Sequence, residues 1–376
     1  LPDWKIGWEA FWETPLADYL EKMKQILQNP GWHAEGDVFT HTKMVCEALI
    51  KEKEFRELSE GKRQEVFLAA LLHDIGKIPC TRWEADQWTS PGHTIAGAKM
   101  AREILWRDFG LSGTKEAQNI RECICSLIRY HSVPVHILDQ KDPERRLFGI
   151  AAQGELIPDF SLSLLKLLVR ADLNGRICDA KNTSLDTAAL CFALAEENGI
   201  LNAPGQFPSE VTKQAYLSGR QVWREQELYD DTWGEIILMS GLPGTGKDTW
   251  IHRHCGALPV ISLDEIRQEL RIPPTDNQGR VILEAREQAK DYLRKKQPFV
   301  WNATNLTSVI RGKQQKLFEE YHAHTRIIFL ETGWERGLTQ NSSREKKVPE
   351  KVIHKMLREM ELPERQEARR VEWNIV

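Results

Sequence analysis

Apolar positions follow two regimes along the chain. Up to about residue 201 they recur at helical spacing. Residues 15–28 carry such a stripe, a turn follows at Asn29-Pro30-Gly31, and a helix over about 38–54 turns Val38, Val45, Leu49 and Ile50 inward. The run Val66-Phe67-Leu68-Ala69-Ala70-Leu71-Leu72 is apolar on nearly every side, which predicts a central, buried helix. Residues 164–171 are almost as apolar, and helical patterning continues from about 161 to 201. Beyond 233, short apolar runs at 235–239, 259–263, 298–302 and 325–330 read as buried strands, with helices expected over about 281–296 and 307–320. Strands alternating with helices predict an α/β unit with a parallel sheet. Between the regimes, residues 202–220 are rich in turn formers, and a short connecting helix is expected to run to about 226. The pattern predicts an all-α domain over 1–201, a linker with a connecting helix over 202–232, and an α/β domain over 233–376.

The helical part places ionisable residues where apolar segments end. His73-Asp74-Ile75-Gly76-Lys77 closes the most apolar helix. A buried imidazole and carboxylate cost desolvation unless they are paired or metal-bound. Gly76 reads as a helix stop, and Lys77 would point at a bound anion. His41 lies near the start of its helix, His93 opens one after Ser90-Pro91-Gly92, His131 follows Leu127-Ile128-Arg129-Tyr130, and Asp172 follows the 164–171 run. Each alone reads more simply as a satisfied polar residue. Together, four helices each deliver a histidine or aspartate beside an apolar stripe, and one delivers an adjacent pair.

In the α/β part, Gly241-Leu242-Pro243-Gly244-Thr245-Gly246-Lys247-Asp248-Thr249 follows a strand and runs into a helix. That context makes a phosphate-binding loop. Glycines let successive N–H groups turn around an anion, the helix N-terminus adds partial positive charge, and Lys247 supplies a point charge. Asp248 stands where a hydroxyl is usual, and Thr249 comes one place later. The second strand delivers Asp264 at its carboxyl end, where open parallel sheets bind ligands, with Arg267 one turn on. The alternative role for Asp264 is a helix N-cap. The third strand ends in Ala303-Thr304-Asn305.

Composition narrows the classes. With 376 residues, 41% hydrophobic and 28% charged, each half can bury its own core. A net charge of −4 gives no global basic field, so any nucleic-acid contact is a local patch or an end-recognition pocket. Seven cysteines without a CxxC pair read as reduced, mostly buried thiols of a cytoplasmic protein. Neither a signal-peptide h-region nor a membrane-spanning run is expected. Most of the thirteen tryptophans are expected to pack in cores.

His41, His73-Asp74 and Asp172 resemble the H…HD…D pattern of HD-superfamily phosphohydrolases, and His93 and His131 resemble the extra histidines of its two-metal members. The stretches Trp32-His33-Ala34-Glu35-Gly36-Asp37, Ala69–Lys77 and Gly92-His93 are similar to HD domains attached to bacterial tRNA nucleotidyltransferases. Over about residues 20–180 this resemblance implies an all-helical fold and metal-dependent phosphoester hydrolysis. It implies His41, His73, Asp74 and Asp172 on one ion and Asp74, His93 and His131 on another, with His33 and Lys77 contacting substrate phosphate; His33 could also replace or supplement His41. Imidazole and carboxylate ligands suit one or two Mn²⁺, Co²⁺, Ni²⁺, Fe²⁺, Zn²⁺ or Cu²⁺ ions better than Mg²⁺.

The second half resembles 5′-OH polynucleotide kinases in the order of Gly241–Thr249, Ser262–Arg267, Asn302–Leu306 and Asn341–Ile353. That resemblance implies ATP or another NTP with Mg²⁺, bound by Gly241, Gly244, Thr245, Gly246, Lys247, Asp248, Thr249 and Arg344. It implies Asp264 as general base, Arg267 on the acceptor phosphate, and Thr304 and Asn305 near substrate; with the usual hydroxyl missing, Mg²⁺ would be held by Thr249 or through water. Asn302 or Ala303 departs from relatives that often carry an acid there. The combination resembles the bacterial HD-Pnk RNA-repair enzymes, implying RNA or DNA strand ends as substrates and cooperation with a polynucleotide ligase, with no membrane partner. Two alternatives are an HD hydrolase of a signalling nucleotide fused to a small-molecule kinase, and a non-catalytic RNA-binding scaffold.

Overall fold

The structure, a computed structural model, describes residues 2–344 and 347–376. It divides into two compact units, the first running to Gly205 and the second from Gln206 to Val376, with Ser112–Lys115 grouped with the second.

The first unit is helical: α1 (Ala17–Met23), α2 (Val38–Leu49), α3 (Lys53–Glu57), α4 (Glu60–Leu72), α5 (Lys77–Cys80), α6 (His93–Arg107), α7 (Lys115–Tyr130), α8 (Pro143–Ala151), α9 (Leu162–Asn174) and α10 (Lys181–Glu197). Its core is the packing of α2, α4 and α9. Side-chain caps fix where these three begin: Asp37 accepts from Thr40 N at 2.9 Å, Ser59 from Lys62 N at 3.5 Å and Ser161 from Leu164 N at 3.3 Å. Two glycines set how closely they approach. A Cβ on Gly76 would lie 2.0 Å from the His93 carbonyl oxygen, and one on Gly175 would lie 2.7 Å from Val45 N. Gly76 has an ordinary φ of −68°. It is therefore required for the contact between the end of α4 and the start of α6, and is not the left-handed stop that its position suggests.

The first stripe is shorter than its pattern. α1 stops at Met23, and the following segment turns back, with Val38 N donating to Ile26 O at 3.0 Å and Gln28 N to Gly36 O at 3.2 Å. The 38–54 stripe likewise splits after Leu49. A two-stranded antiparallel hairpin, β1 (Arg82–Glu84) and β2 (Gln87–Thr89), was not expected. Its turn holds Ala85 at φ 48° and Asp86 at φ 58°, without the glycine that usually marks such turns.

The second unit contains α11 (Glu210–Leu217) and a five-stranded parallel sheet: β3 (Gly234–Ser240), β4 (Val260–Ser262), β5 (Val300–Asn302), β6 (Ala323–Glu331) and β7 (Arg370–Ile375), in the order β4-β5-β3-β6-β7. Helices α12 (Lys247–His254), α13 (Leu263–Glu269), α14 (Gly279–Arg294), α15 (Ser308–Glu320), α16 (Trp334–Ser342) and α17 (Glu350–Glu359) connect or flank the strands. β3 is central and buried from Ile236 to Ser240. β7 was not predicted: as an edge strand it alternates Arg370, Glu372 and Asn374 with apolar residues, and Arg326 of β6 pairs with Glu372 at 2.8 Å. The segment expected as a linker is built into this unit from Gln206 onward. Arg365 holds Glu210, Arg369 holds Asp230 at 2.6 Å, and Thr212 Oγ1 donates to Gln226 O at 2.7 Å. Because all five strands are parallel, the loops after β3, β4 and β5 emerge at one edge, where ligands bind in such sheets.

Candidate active sites

In the helical unit Asp74 is the hub. Its Oδ2 lies 3.3 Å from His73 Nε2 and 3.7 Å from His41 Nε2, while Oδ1 lies 3.5 Å from His93 Nε2 and 4.0 Å from His131 Nε2. Asp172 Oδ1 is 3.0 Å from His41 Nε2 and 3.8 Å from His73 Nε2. One carboxylate thus divides two ligand sets, His41-His73-Asp74 and Asp74-His93-His131, each with its ligand atoms within 4.8 Å of one another. The six residues come from α2, the end of α4, the start of α6, the end of α7 and α9. The close approaches at Gly76 and Gly175 carry His93 to Asp74 and Asp172 to His41.

The donor chemistry fits a metal. His73, His93 and His131 each direct Nδ1 at 2.8 Å to a carbonyl three residues back, those of Ala70, Ser90 and Ile128. A carbonyl only accepts, so Nδ1 carries a proton and Nε2 is the atom each ring turns to the centre, with its lone pair free for a metal when a cation is bound. His73 Nε2 and Asp74 Oδ1 are buried and have no hydrogen-bond partner, a costly arrangement that a cation relieves. Burial pushes His131 down to about 3, with the neighbouring His73 adding to it, and lowers His93 as well. Burial pulls His41 down too, but Asp172 and Glu35 outweigh it and raise the ring. For Asp74, burial is outweighed by Lys77 and His73, and for Asp172 by Arg176 and His41, so both stay well below the usual carboxylate range.

Two residues here were missed in the sequence. Glu35 Oε1 lies 2.8 Å from both His33 Nδ1 and His41 Nδ1, so it orients His41 toward the centre from behind. Arg176, one turn beyond Asp172, pairs with that carboxylate, its Nε at 3.1 Å from Oδ1. Glu35 sits within the quoted Trp32–Asp37 stretch, and Arg176 is spaced four from Asp172; both signals were present. His33 and Lys77 both line the cavity of about 570 Å³ that opens onto Asp74, His93 and His131. Lys77 is more committed than expected: Nζ sits 2.8 Å from Asp74 Oδ2 and 2.6 Å from Gln28 Oε1. Burial lowers His33 to about 4, against the Glu35 contact, so its ring is neutral at pH 7.

In the α/β unit the loop from Gly241 to Thr249 joins β3 to α12. Gly241 has φ 142°, and a Cβ there would lie 2.5 Å from Leu330 O; Gly244 and Gly246 also have positive φ. Thr245 Oγ1 donates to Leu242 O at 2.9 Å, closing the turn. Lys247 Nζ donates to Gly241 O and Leu242 O at 3.0 and 2.9 Å. Burial lowers Lys247 to about 8, against Asp248 and Asp264 and with help from Arg344. Asp248 and Thr249 lie exposed in the first turn of α12. Asn302 Nδ2 donates to Asp248 Oδ1 at 2.7 Å, so Asp248 is tied to the end of β5.

Asp264 is not the cap of α13: Ser262 Oγ takes that role, accepting from Glu265 N at 3.3 Å. The Asp264 side chain is 65% exposed, pairs with Arg267 and lies 3.9 Å from Arg344 Nη2. Arg267 Nε donates to Gln278 Oε1 at 2.8 Å, a partner that sequence reading missed. Asn305, expected near substrate, is buried; its side-chain Nδ2 donates to Met239 O at 2.7 Å and its backbone carbonyl accepts from Ser240 Oγ and Arg311, so it ties the loop to β3. Thr304 contributes its carbonyl to Gly241 N at 3.0 Å. In the 341–353 motif, Asn341 pairs with the Val348 backbone through both amide atoms; Glu345 and Lys346 lie outside the described residues.

Residues 38–152 match the HD domain family, a span holding five of the six clustered ligands and ending before Asp172. Residues 236–363 match an AAA domain family of P-loop kinase-like proteins, a span holding the phosphate loop, Asp264 and Arg344. No curated protein matches the chain. The chain is therefore an HD domain followed by a P-loop kinase-like α/β domain. The His/Asp clusters of the first fit a metal site, and no helix among the described residues is long and apolar enough to cross a membrane.

Proposed function

We propose that this chain heals nucleic-acid ends: the α/β domain transfers the γ-phosphoryl of ATP to a strand's 5′-hydroxyl, and the HD domain hydrolyses a 2′,3′-cyclic phosphate or related phosphoester at the other end. The observation that carries this reading is the grouping of Asp264 with Arg267 and Arg344 at the carboxyl edge of the sheet, near enough to Lys247 for Asp264 and Arg344 to bias its charge. An exposed carboxylate set between two arginines suits a base that receives an acceptor hydroxyl while the guanidiniums hold phosphates on either side. The Asp264 carboxylate takes the hydroxyl proton, that oxygen bonds to the γ-phosphorus, and ADP leaves. Lys247 and the loop N–H groups would hold the donor phosphates, and Asp248 and Thr249 would hold Mg²⁺, which would supply charge neutralisation there.

In the HD domain, His41, His73, Asp74, Asp172, His93 and His131 would hold one or two divalent transition ions, which lower the pKa of a bound water and neutralise phosphate charge. Lys77 adds positive charge at the cavity wall, and His33, held by Glu35, presents a neutral ring beside it. Water adds to phosphorus, one P–O ester bond breaks, and a monoester remains. The resulting ends are substrates of the class that a polynucleotide ligase joins.

The test is phosphate transfer from γ-labelled ATP to 5′-OH oligonucleotides and to small alcohols, beside hydrolysis of 2′,3′-cyclic-phosphate oligonucleotides across a series of divalent metals. Transfer confined to oligonucleotides, with metal-dependent opening of the cyclic phosphate, supports the reading. Transfer to small alcohols, or hydrolysis of free signalling nucleotides only, contradicts it.

A further inference from the structure

The cavity over the HD centre has a chemically divided wall. Its floor is the His/Asp/Lys cluster, suited to phosphate. Its rim carries Trp32 and Trp88. Trp32 is 48% exposed, and Trp88 belongs to the unexpected hairpin, where Trp83 (57% exposed) meets it edge-on at 5.2 Å and 75°. Most tryptophans were expected in cores; Trp32 stands in water and Trp88 is only half-buried where it lines the cavity, which calls for an explanation beyond packing. The hairpin is fastened to the turn bearing Trp32 and His33 by a hydrogen bond from Asn29 Nδ2 to Gln87 Oε1 at 2.8 Å. Both indoles thus belong to a connected rim. The cavity, about 570 Å³, falls in the size range of small-molecule sites.

We propose that Trp88, with Trp32, is a stacking platform for the base of the strand-terminal nucleotide whose phosphate is hydrolysed at the HD centre. This rests on the end-healing reading and specifies its substrate as an unpaired, single-stranded end taken without regard to sequence. Every base has a π-face, so stacking tolerates all four, whereas the terminal base of a duplex is held by its pair and its inner neighbour and must leave both to enter the cavity. A net charge of −4 supplies no global basic field to hold a strand, so contact with the terminal nucleotide carries more of the recognition.

The test compares wild type, Trp88→Ala, Trp88→Phe, Trp32→Ala and Trp83→Ala on a single-stranded 2′,3′-cyclic-phosphate oligonucleotide, on the same strand with an abasic terminal residue, and on a blunt duplex end. The expected result is a KM raised about 5- to 100-fold in Trp88→Ala with kcat within about two-fold, near recovery in Trp88→Phe, and a smaller rise in Trp32→Ala. The abasic end should show a raised KM in wild type that Trp88→Ala does not raise further, and the duplex end should be a poor substrate. Equal KM across the variants, an abasic end processed as well as the normal one, or Trp83→Ala matching Trp88→Ala with no Phe rescue would overturn the platform. Separately, indole fluorescence is titrated with a 3′-phosphorylated oligonucleotide and its abasic counterpart. Should wild type hydrolyse no oligonucleotide, the end-healing reading fails, and equal quenching by both strands sinks the platform on its own.

Discussion

Asn302 donates a 2.7 Å hydrogen bond from Nδ2 to Asp248 Oδ1, joining the end of β5 to the first turn of α12. Asp248 stands where the resembling kinases carry a hydroxyl, and Asn302 is one of the two positions, with Ala303, where they often carry an acid. An aspartate after the loop lysine, facing an acid at the end of the neighbouring strand, would set two carboxylates against each other. The amide removes that repulsion and orients Asp248 toward the site. Asn302→Asp should therefore lower the kinase's Mg²⁺ affinity and its kcat/KM by at least about ten-fold, a cost of order 1.4 kcal/mol. Asp248→Ser combined with Asn302→Asp should recover part of the loss. A double-mutant cycle read as Mg²⁺ dependence checks this, and additive losses would show that the two residues act separately.

Lys247 gives a pH signature. Burial lowers it to about 8 in the nucleotide-free protein, so it carries its charge below that pH and loses it above. Bound phosphates favour the charged form and raise the value. Thus kcat/KM for ATP should fall as pH rises through about 8, while kcat holds to higher pH. In Lys247→Arg the fall should vanish, because a guanidinium stays charged, although overall activity drops. Parallel pH profiles of the two parameters check this, and a wild-type kcat/KM flat from pH 7 to 10 would contradict it.

Glu35 contacts both His33 and His41 from the side away from Asp74. Removing such a partner typically costs 10- to 100-fold in metal affinity. Glu35→Ala should lose about that much, with Glu35→Gln retaining more, as measured by metal content after dialysis against a buffered ion. Kinase activity should be unchanged in both, and unaltered metal content in Glu35→Ala would show that Glu35 does not support the site.

Gly175→Ala tests the packing that assembles the cluster. The new methyl would lie 2.7 Å from Val45 N and 2.9 Å from its Cα, backbone atoms of α2 that cannot turn aside as a side chain can. The expected loss is about 1–3 kcal/mol of HD-domain stability with weakened metal binding, seen as an earlier thermal transition. A variant as stable as wild type would mean that α2 and α9 are free to separate.

The fold and much of the site were legible because both rest on strong periodicity. The apolar runs at 66–72 and 164–171 end where His73, Asp74 and Asp172 must enter the core, and the strand–loop–helix around Lys247 is continuous in sequence. What was not legible depended on contacts distant in the chain. The hairpin at 82–89 turns on Ala85 and Asp86, neither carrying the usual glycine signal. β7 alternates charge with apolar residues and is a strand because β6 offers it an edge. The connection after Gln206 reads as a linker because its anchors, Arg365 and Arg369, lie about 150 residues away. That Asn305 also ties its loop to β3 was not legible, because nothing local shows its side-chain amide reaching Met239 O. Glu35 was visible, but its role appears only when one oxygen is seen to serve two histidines.

The central claim is that two independent active sites process opposite ends of a strand. One oligonucleotide bearing both a 5′-OH and a 2′,3′-cyclic phosphate, incubated with ATP, Mg²⁺ and a transition metal, tests it most directly. Asp264→Ala should open the cyclic phosphate at the wild-type rate and lose at least about 100-fold in 5′-phosphorylation, while His73→Ala with Asp74→Ala should do the reverse. Loss of both reactions in either protein, with both still folded, or wild type leaving both ends untouched, would contradict the account.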